Sequence, residues 1–149
     1  MKDLIEKLEQ AEVGSRELDC LLGVLLDGFY VAIPRYHGAP IAYGRIDADG
    51  ARTEPGHGGD QLVPRYTTSL DAALALAERV LPGCCVLVGD YKGLANHTRW
   101  NGKGEIRATK GWCSLSPDDA AASNYRVHAH TPALALCAAI LRAQSEARV

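Results

Sequence analysis

The stretch YRVHAHTPALALCAAIL, residues 125–141, decides the fold of this chain. Its first part, Tyr125 to Ala129, alternates along the backbone in the manner of a strand. Thr131-Pro132 then predicts a helix start, with a capping hydroxyl followed by proline at the first helical position. We expect the helix to run to about Glu146. Its segment Ala133 to Leu141 has no polar face, so it should lie largely buried against a sheet.

A second helix followed by a strand is marked upstream. Thr68-Ser69-Leu70-Asp71 matches an [ST]-x-x-[DE] helix start, in which the Thr68 oxygen accepts a hydrogen bond from an orphan amide and Asp71 favours the positive helix end. The apolar face of this helix is predicted to contain Leu70, Ala73, Leu74, Ala77, Val80 and Leu81. Pro82-Gly83 ends the helix, and Cys84 to Val88 predicts a buried strand.

Two further helices are predicted at the amino terminus. Asp3 to Ala11 carries apolar residues at helical spacing with charges on the other side, which indicates a short amphipathic helix within residues 1–14, an addition to the main domain. Ser15 is placed to cap a second helix that ends before Asp27-Gly28.

The remaining segments predict strands and loops. Phe29 to Ile33 and Ile41 to Ile46 are short apolar runs that should pair, and Asp47 to Gln61 is polar and glycine-rich, which is typical of a mobile loop. Tyr91 to Leu115 alternates short β-like pieces with glycine turns, so we expect a meander there. Together these elements predict an α/β (α+β) fold, a mostly antiparallel sheet covered by helices in an α/β/α sandwich.

Length and composition predict one globular domain over residues 1–149. Hydrophobic residues make up 47% of the chain and charged residues 23%, which is ordinary globular usage. A net charge of −2 argues against a protein that coats long nucleic acid. The longest apolar stretch near the amino terminus, Leu18 to Leu26, is interrupted by Asp19 and Gly23. It therefore fits neither a signal peptide nor a membrane span, and we expect a cytoplasmic protein with reduced thiols and no membrane partner.

Two segments resemble the phage ABA sandwich domain. They are residues 64–76, PRYTTSLDAALAL, closed by Leu81-Pro82-Gly83, and residues 131–139, TPALALCAA. The similarity extends from about Glu17 to Arg142. The resemblance implies a sheet between layers of helices, an origin in a phage or prophage genome and therefore the host bacterial cytoplasm. It implies no catalytic or ligand-binding residues.

The sequence carries none of the strongest enzyme motifs: no G-x-S-x-G elbow, Walker lysine loop, Rossmann fingerprint, H-E-x-x-H or deaminase signature. An enzyme is therefore the less favoured hypothesis, with no catalytic residue assigned. Cys113 with His97 or His128 is the one arrangement that could support nucleophilic catalysis, although a structural or exposed cysteine is the simpler interpretation.

Two motifs are candidate metal sites. His128-x-His130 places two imidazoles on one side of a strand, but a third ligand is unidentified. Asp47-x-Asp49-Gly50 resembles the start of a calcium loop, but Arg52 stands where such a loop needs glycine, so a turn explains it better. We therefore expect neither a metal nor a cofactor.

The segment Tyr91 to Trp112 is the strongest candidate for function, since its basic residues outnumber its acids and it holds both tryptophans. A two-residue Asn101-Gly102 turn would set Trp100 opposite Lys103, Thr98 opposite Glu105 and Asn96 opposite Arg107. A base could then stack on Trp100 while arginine or lysine contacts phosphate. The candidate ligand-binding residues are Tyr91, Arg99, Trp100, Lys103, Arg107 and Trp112. The alternative to a binding surface is a solvated hairpin without a ligand, in which Trp112 fills the core beside Leu115.

The leading functional hypothesis is a phage or prophage accessory protein that acts by binding. It could serve counter-defence by sequestering a small nucleotide signal, by contacting a short nucleic acid or by blocking a host protein. The alternative is a structural or virion-associated protein that forms homo-oligomers, with part of the apolar last helix facing a partner subunit. A small enzyme that uses Cys113 or His128 is the second alternative.

Overall fold

A computed structural model describes residues 1–32, 41–47, 49–53, 61–90, 98–100, 106–108, 111–116 and 125–147. The elements in chain order are α1 (Lys2–Gln10), α2 (Arg16–Leu26), β1 (Phe29–Ala32), β2 (Ala42–Ile46), β3 (Arg52–Thr53), α3 (Leu70–Val80), β4 (Cys85–Asp90), β5 (Thr98–Trp100), β6 (Ile106–Ala108), β7 (Gly111–Ser116), β8 (Tyr125–Ala129) and α4 (Pro132–Ala147). This is the predicted α+β fold. The strands of the described part form two antiparallel three-stranded sheets and a two-stranded ladder.

The second sheet, in the order β4-β7-β8, packs one face on α4. The prediction for residues 125–141 is confirmed: Thr131 Oγ1 accepts a hydrogen bond from Leu134 N at 3.2 Å, and every residue from Ala133 to Leu141 is buried. Helices α1 and α3 also contact α4. The segment Ala133–Leu141 can be apolar all round because β7, β8, α1 and α3 enclose α4 on several sides.

Helix α1 belongs to this core, because Leu8 is fully buried and Glu9 forms an ion pair with Arg142 of α4. The predicted cap of α2 is confirmed, since Ser15 Oγ accepts a hydrogen bond from Leu18 N at 3.3 Å. Helix α3 begins one residue later than predicted. Ser69 Oγ, not the Thr68 hydroxyl, accepts the hydrogen bond from the third residue on, Ala72 N, at 3.3 Å.

Two predictions of burial are wrong. In α3, Leu76 is fully buried and Leu74 is 39% exposed, because the side of the helix that meets α4 is centred on Ala73, Leu76 and Ala77. In the predicted buried strand, now β4, only alternate positions turn toward α4, so Leu87 is 58% exposed and Cys85 is also exposed. The local run of apolar residues does not reveal that, among the described elements, a helix covers only one face of the sheet.

The first sheet has the order β1-β2-β3. The predicted pairing is confirmed, with Phe29 opposite Arg45 and Ala32 opposite Ala42. Asp47-x-Asp49-Gly50 forms the turn that we preferred to a calcium loop, since Gly50 N donates to Asp47 O at 2.9 Å and Gly50 has a φ of 84°. The segment that we expected to be entirely loop contributes the short strand β3, which pairs with the end of β2.

A buried carboxylate fixes the chain that precedes α3. Asp19, 1% exposed, accepts hydrogen bonds from Thr67 N and Thr67 Oγ1, both at 2.8 Å, and from Arg16 Nη1 at 2.9 Å. Arg16 Nη2 also donates to Val63 O at 2.8 Å. Gly14 is required beside this network, because a Cβ there would lie 2.5 Å from Thr67 O. The network attaches residues 63–67 to α2.

Candidate functional site

The face of the second sheet that turns away from α4 carries the candidate binding surface, which we call the outer face. Strand alternation places on it Cys85, Leu87 and Gly89 of β4, Trp112, Ser114 and Ser116 of β7, and Arg126 and His128 of β8. Trp112 is the only one of the six predicted ligand-binding residues whose side chain lies in the described part of the chain. It is half-buried and stands on this face rather than in the core beside Leu115.

The indole of Trp112 lies across the backbone of Gly89, its partner on β4. A Cβ at position 89 would come within 2.5 Å of Trp112 Cε2 and 2.7 Å of Cζ2, closer than real Cβ atoms approach their neighbours. Glycine is therefore needed at this position for the ring to rest against the sheet. The first sheet repeats the arrangement: a Cβ at Gly44 would lie 2.6 Å from Tyr30 Cε1.

The surroundings of Trp112 are polar on the β8 side and apolar on the β4 side. His128 is its cross-strand partner, and the next pair along the strands joins Ser114 to Arg126, whose side chain is exposed. Leu87 is the partner of Ser114 on β4. An aromatic ring on a sheet, with a cation at one side and an aliphatic group at the other, can stack a planar ligand and contact an anionic substituent.

The hairpin β5–β6 exists, but its predicted register is wrong. Trp100 pairs with Ile106, Arg99 with Arg107 and Thr98 with Ala108, whereas a two-residue Asn101-Gly102 turn requires Trp100 opposite Lys103. Positions 100 and 107 belong to neighbouring pairs, which alternate between the two faces of a ladder. Trp100 and Arg107 are therefore not on the single face that we predicted. Tyr91 and Lys103 lie outside the described residues.

The arrangement proposed for an enzyme is not formed by Cys113 and His128. Cys113 pairs with Val127 and faces α4, whereas His128 lies on the outer face, so the sheet separates the two side chains. Burial, with a smaller contribution from Cys84, raises the pKa of the Cys113 thiol to about 12, which keeps it protonated at neutral pH. His97 lies outside the described residues. Cys113 and His128 therefore do not form the nucleophile–base pair that the enzyme hypothesis requires.

Among the described residues, no group of three or more His, Cys, Asp and Glu side chains could hold a metal ion. His128 is part of β8, and His130 stands in the bend between β8 and α4. No third ligand joins them among the described residues.

A second polar cluster, which the sequence did not reveal, surrounds Asp27. This buried carboxylate accepts hydrogen bonds from Arg79 Nε at 2.9 Å, from Arg79 Nη2 at 2.8 Å, from Arg45 Nη2 at 3.2 Å and from the Tyr66 hydroxyl. Burial first, and then the Asp27 carboxylate, raise the pKa of Tyr66 well above its usual range, so its hydroxyl acts as a donor and not as a base. The four groups come from distant parts of the chain, and no local pattern marks them.

No family model, curated protein or solved structure matches the chain. The resemblance to the phage ABA sandwich domain therefore stays a prediction. No helix among the described residues is long and apolar enough to cross a membrane.

Proposed function

We propose that the protein acts by binding, and that the outer face of the second sheet stacks the base of a small nucleotide or of a short single-stranded nucleic acid. The observation that carries this proposal is the indole of Trp112 lying across Gly89. Sheets that hold an aromatic ring against the strands offer its π-face to a base, and stacking of this kind tolerates any base.

Charge around the ring supports the same ligand class. Arg126 is exposed on the outer face, and its guanidinium can donate two hydrogen bonds to a phosphate. The hairpin that precedes β7 carries Arg99 and Arg107 in one cross-strand pair. Two residues separate the end of this hairpin from the start of β7. Basic residues therefore precede Trp112 in the sequence, and Arg126 lies across the sheet from it.

The biological role that we propose is that of a phage or prophage accessory protein, acting in counter-defence by sequestering a nucleotide signal. The family resemblance supports the phage origin, and the outer face supports the ligand. Blocking of a host protein by the same face is the alternative. Assembly into homo-oligomers is a further alternative, which would have to use a surface other than Leu134 to Leu141, because these residues are fully buried within a single chain.

Mass spectrometry of the ligand released by heat from the purified protein tests the proposal. We expect a nucleotide, together with a thermal shift from at least one member of a panel of ribonucleoside phosphates and a short oligothymidylate. Trp112→Leu should weaken binding by about fivefold to a hundredfold, since stacking of one base contributes about 1–3 kcal/mol. Tyr30→Leu is the matched control, because it removes the corresponding ring from the first sheet. No released nucleotide together with no thermal shift from the panel would contradict the proposal.

A further inference from the structure

The Asp27 cluster holds two guanidinium groups around one carboxylate. Arg79 contacts Asp27 through both Nε and Nη2, which is the bidentate geometry of a strong ion pair. Arg45 Nη2 reaches the same carboxylate oxygen, Oδ1, that Arg79 Nε contacts. Both guanidiniums therefore lie within a few ångströms of each other, and a second carboxylate, that of Asp47, balances the charge that Asp27 leaves.

The arginine side chains are open to solvent whereas the carboxylate is not. The side chains of Arg45 and Arg79 are 37% and 40% exposed, and that of Asp27 is 4% exposed. Asp27 and the Tyr66 hydroxyl therefore form the floor of the cluster, with the two guanidiniums above them. Asp47 forms a looser ion pair with Arg45: its Oδ1 is 3.9 Å from Arg45 Nε, beyond hydrogen-bond distance, and its side chain is 48% exposed.

Arg45 also carries an unsatisfied donor. Its Nε is buried and has no hydrogen-bond partner among the described residues. A buried N–H without a partner costs about 1–3 kcal/mol, more when the group is charged. An oxyanion that displaced Asp47 from Arg45 would accept this hydrogen bond and would take over the charge balance of the cluster.

The two arginines are held in place before any ligand arrives. Asp27 follows the last residue of α2, Arg45 lies on β2 with its guanidinium 5.5 Å from the centre of the Phe29 ring, and Arg79 is in the last turn of α3. Fixing a long side chain in advance removes part of the entropy that binding would otherwise cost.

We propose that Arg45 and Arg79 form a binding site for a phosphate group of a small molecule, with Asp27 as the buried anchor that orients both guanidiniums. The site is separate from the outer face and does not depend on the function proposed for Trp112. A tetrahedral phosphate can accept hydrogen bonds from two guanidiniums at once, and arginine forks match its oxygens.

Titration of the full-length protein with sodium phosphate, pyrophosphate and adenosine monophosphate tests the site, with sodium chloride at equal ionic strength as the reference. We expect the Arg45 Nε–H signal in a nitrogen-15 correlation spectrum to shift and the melting temperature to rise more with the phosphates than with chloride. A larger shift of the Arg45 Nε–H signal with the nucleotide than with free phosphate would support the site with a nucleotide as its source, and equal shifts would support it with phosphate alone.

Arg45→Met removes the guanidinium but keeps a long apolar side chain on Phe29. Arg52→Met is the matched control, since Arg52 contacts Tyr30 on the first sheet and has no contact with Asp27. We expect phosphate binding to weaken about tenfold or more in the Arg45 variant and to stay unchanged in the control. A shift no larger than that from chloride, or an unchanged affinity in Arg45→Met, would overturn the proposal. If the Arg45 variant does not fold, the shift of the Arg45 Nε–H signal in the wild-type protein decides whether the site binds phosphate.

Discussion

Replacement of Gly89 by alanine tests directly whether the position of the Trp112 ring makes the outer face a binding surface. The new Cβ would lie 2.5 Å from Trp112 Cε2 and 2.7 Å from Cζ2, so the ring has to leave the sheet or the strands have to separate. Adding a methyl group to such a contact costs about 1–3 kcal/mol of the free energy of unfolding. We expect a loss of stability near the lower end of this range, because Trp112 is only half-buried and its ring can rotate toward solvent.

The loss of stability should be accompanied by a loss of binding. Urea denaturation measures the first, and titration with the nucleotide panel and oligothymidylate measures the second. Gly44→Ala is the matched control, since it displaces the Tyr30 ring on the first sheet by a similar clash, with 2.6 Å between the new Cβ and Cε1. Both variants should be destabilised, but only Gly89→Ala should lose affinity. Unchanged affinity and unchanged tryptophan emission in Gly89→Ala would refute the reasoning.

Three other results are expected. Asp27→Asn should lower the free energy of unfolding by about 2–3 kcal/mol in urea denaturation, less than for a fully buried pair because the guanidiniums left behind are partly exposed; an unchanged midpoint would count against the cluster. Ser69→Ala should lower the free energy of unfolding by about 1 kcal/mol, and Thr68→Ala should leave it almost unchanged. A larger loss in Thr68→Ala than in Ser69→Ala would make Thr68 the capping residue, as the sequence predicts. The folded state keeps the Cys113 proton between pH 9 and about 12 while the unfolded chain loses it, so stability should fall as pH rises through this window. Cys113→Ala should flatten that slope, and exposed Cys85 should be alkylated first in the native protein.

Elements with strong local signals were predictable. The strand Tyr125–Ala129 and the cap at Thr131 follow from alternation and from a hydroxyl before proline, and both agree with the structure. The one-residue error at α3 arises because Thr68 and Ser69 can both cap a helix, and only the tertiary position of the first turn chooses between them.

Features that depend on contacts between distant residues could not be predicted. Asp27 binds Arg45, 18 residues away, and Arg79, 52 residues away, and nothing near any of them marks the cluster. Trp112 was a candidate, but its position on Gly89 depends on the pairing of β4 with β7. In the β5–β6 hairpin, the Asn101-Gly102 signal suggested a register that the strand pairing does not follow.

The most direct test of the central claim uses Trp112 as its own probe. In Trp100→Phe, Trp112 is the only tryptophan left, so its fluorescence reports on the outer face alone. The structure predicts that at least one nucleotide, or the oligothymidylate, quenches this emission in a saturable manner, and that Gly89→Ala in the same background abolishes the effect. Emission that stays constant across the whole panel would contradict the claim that this face binds a base.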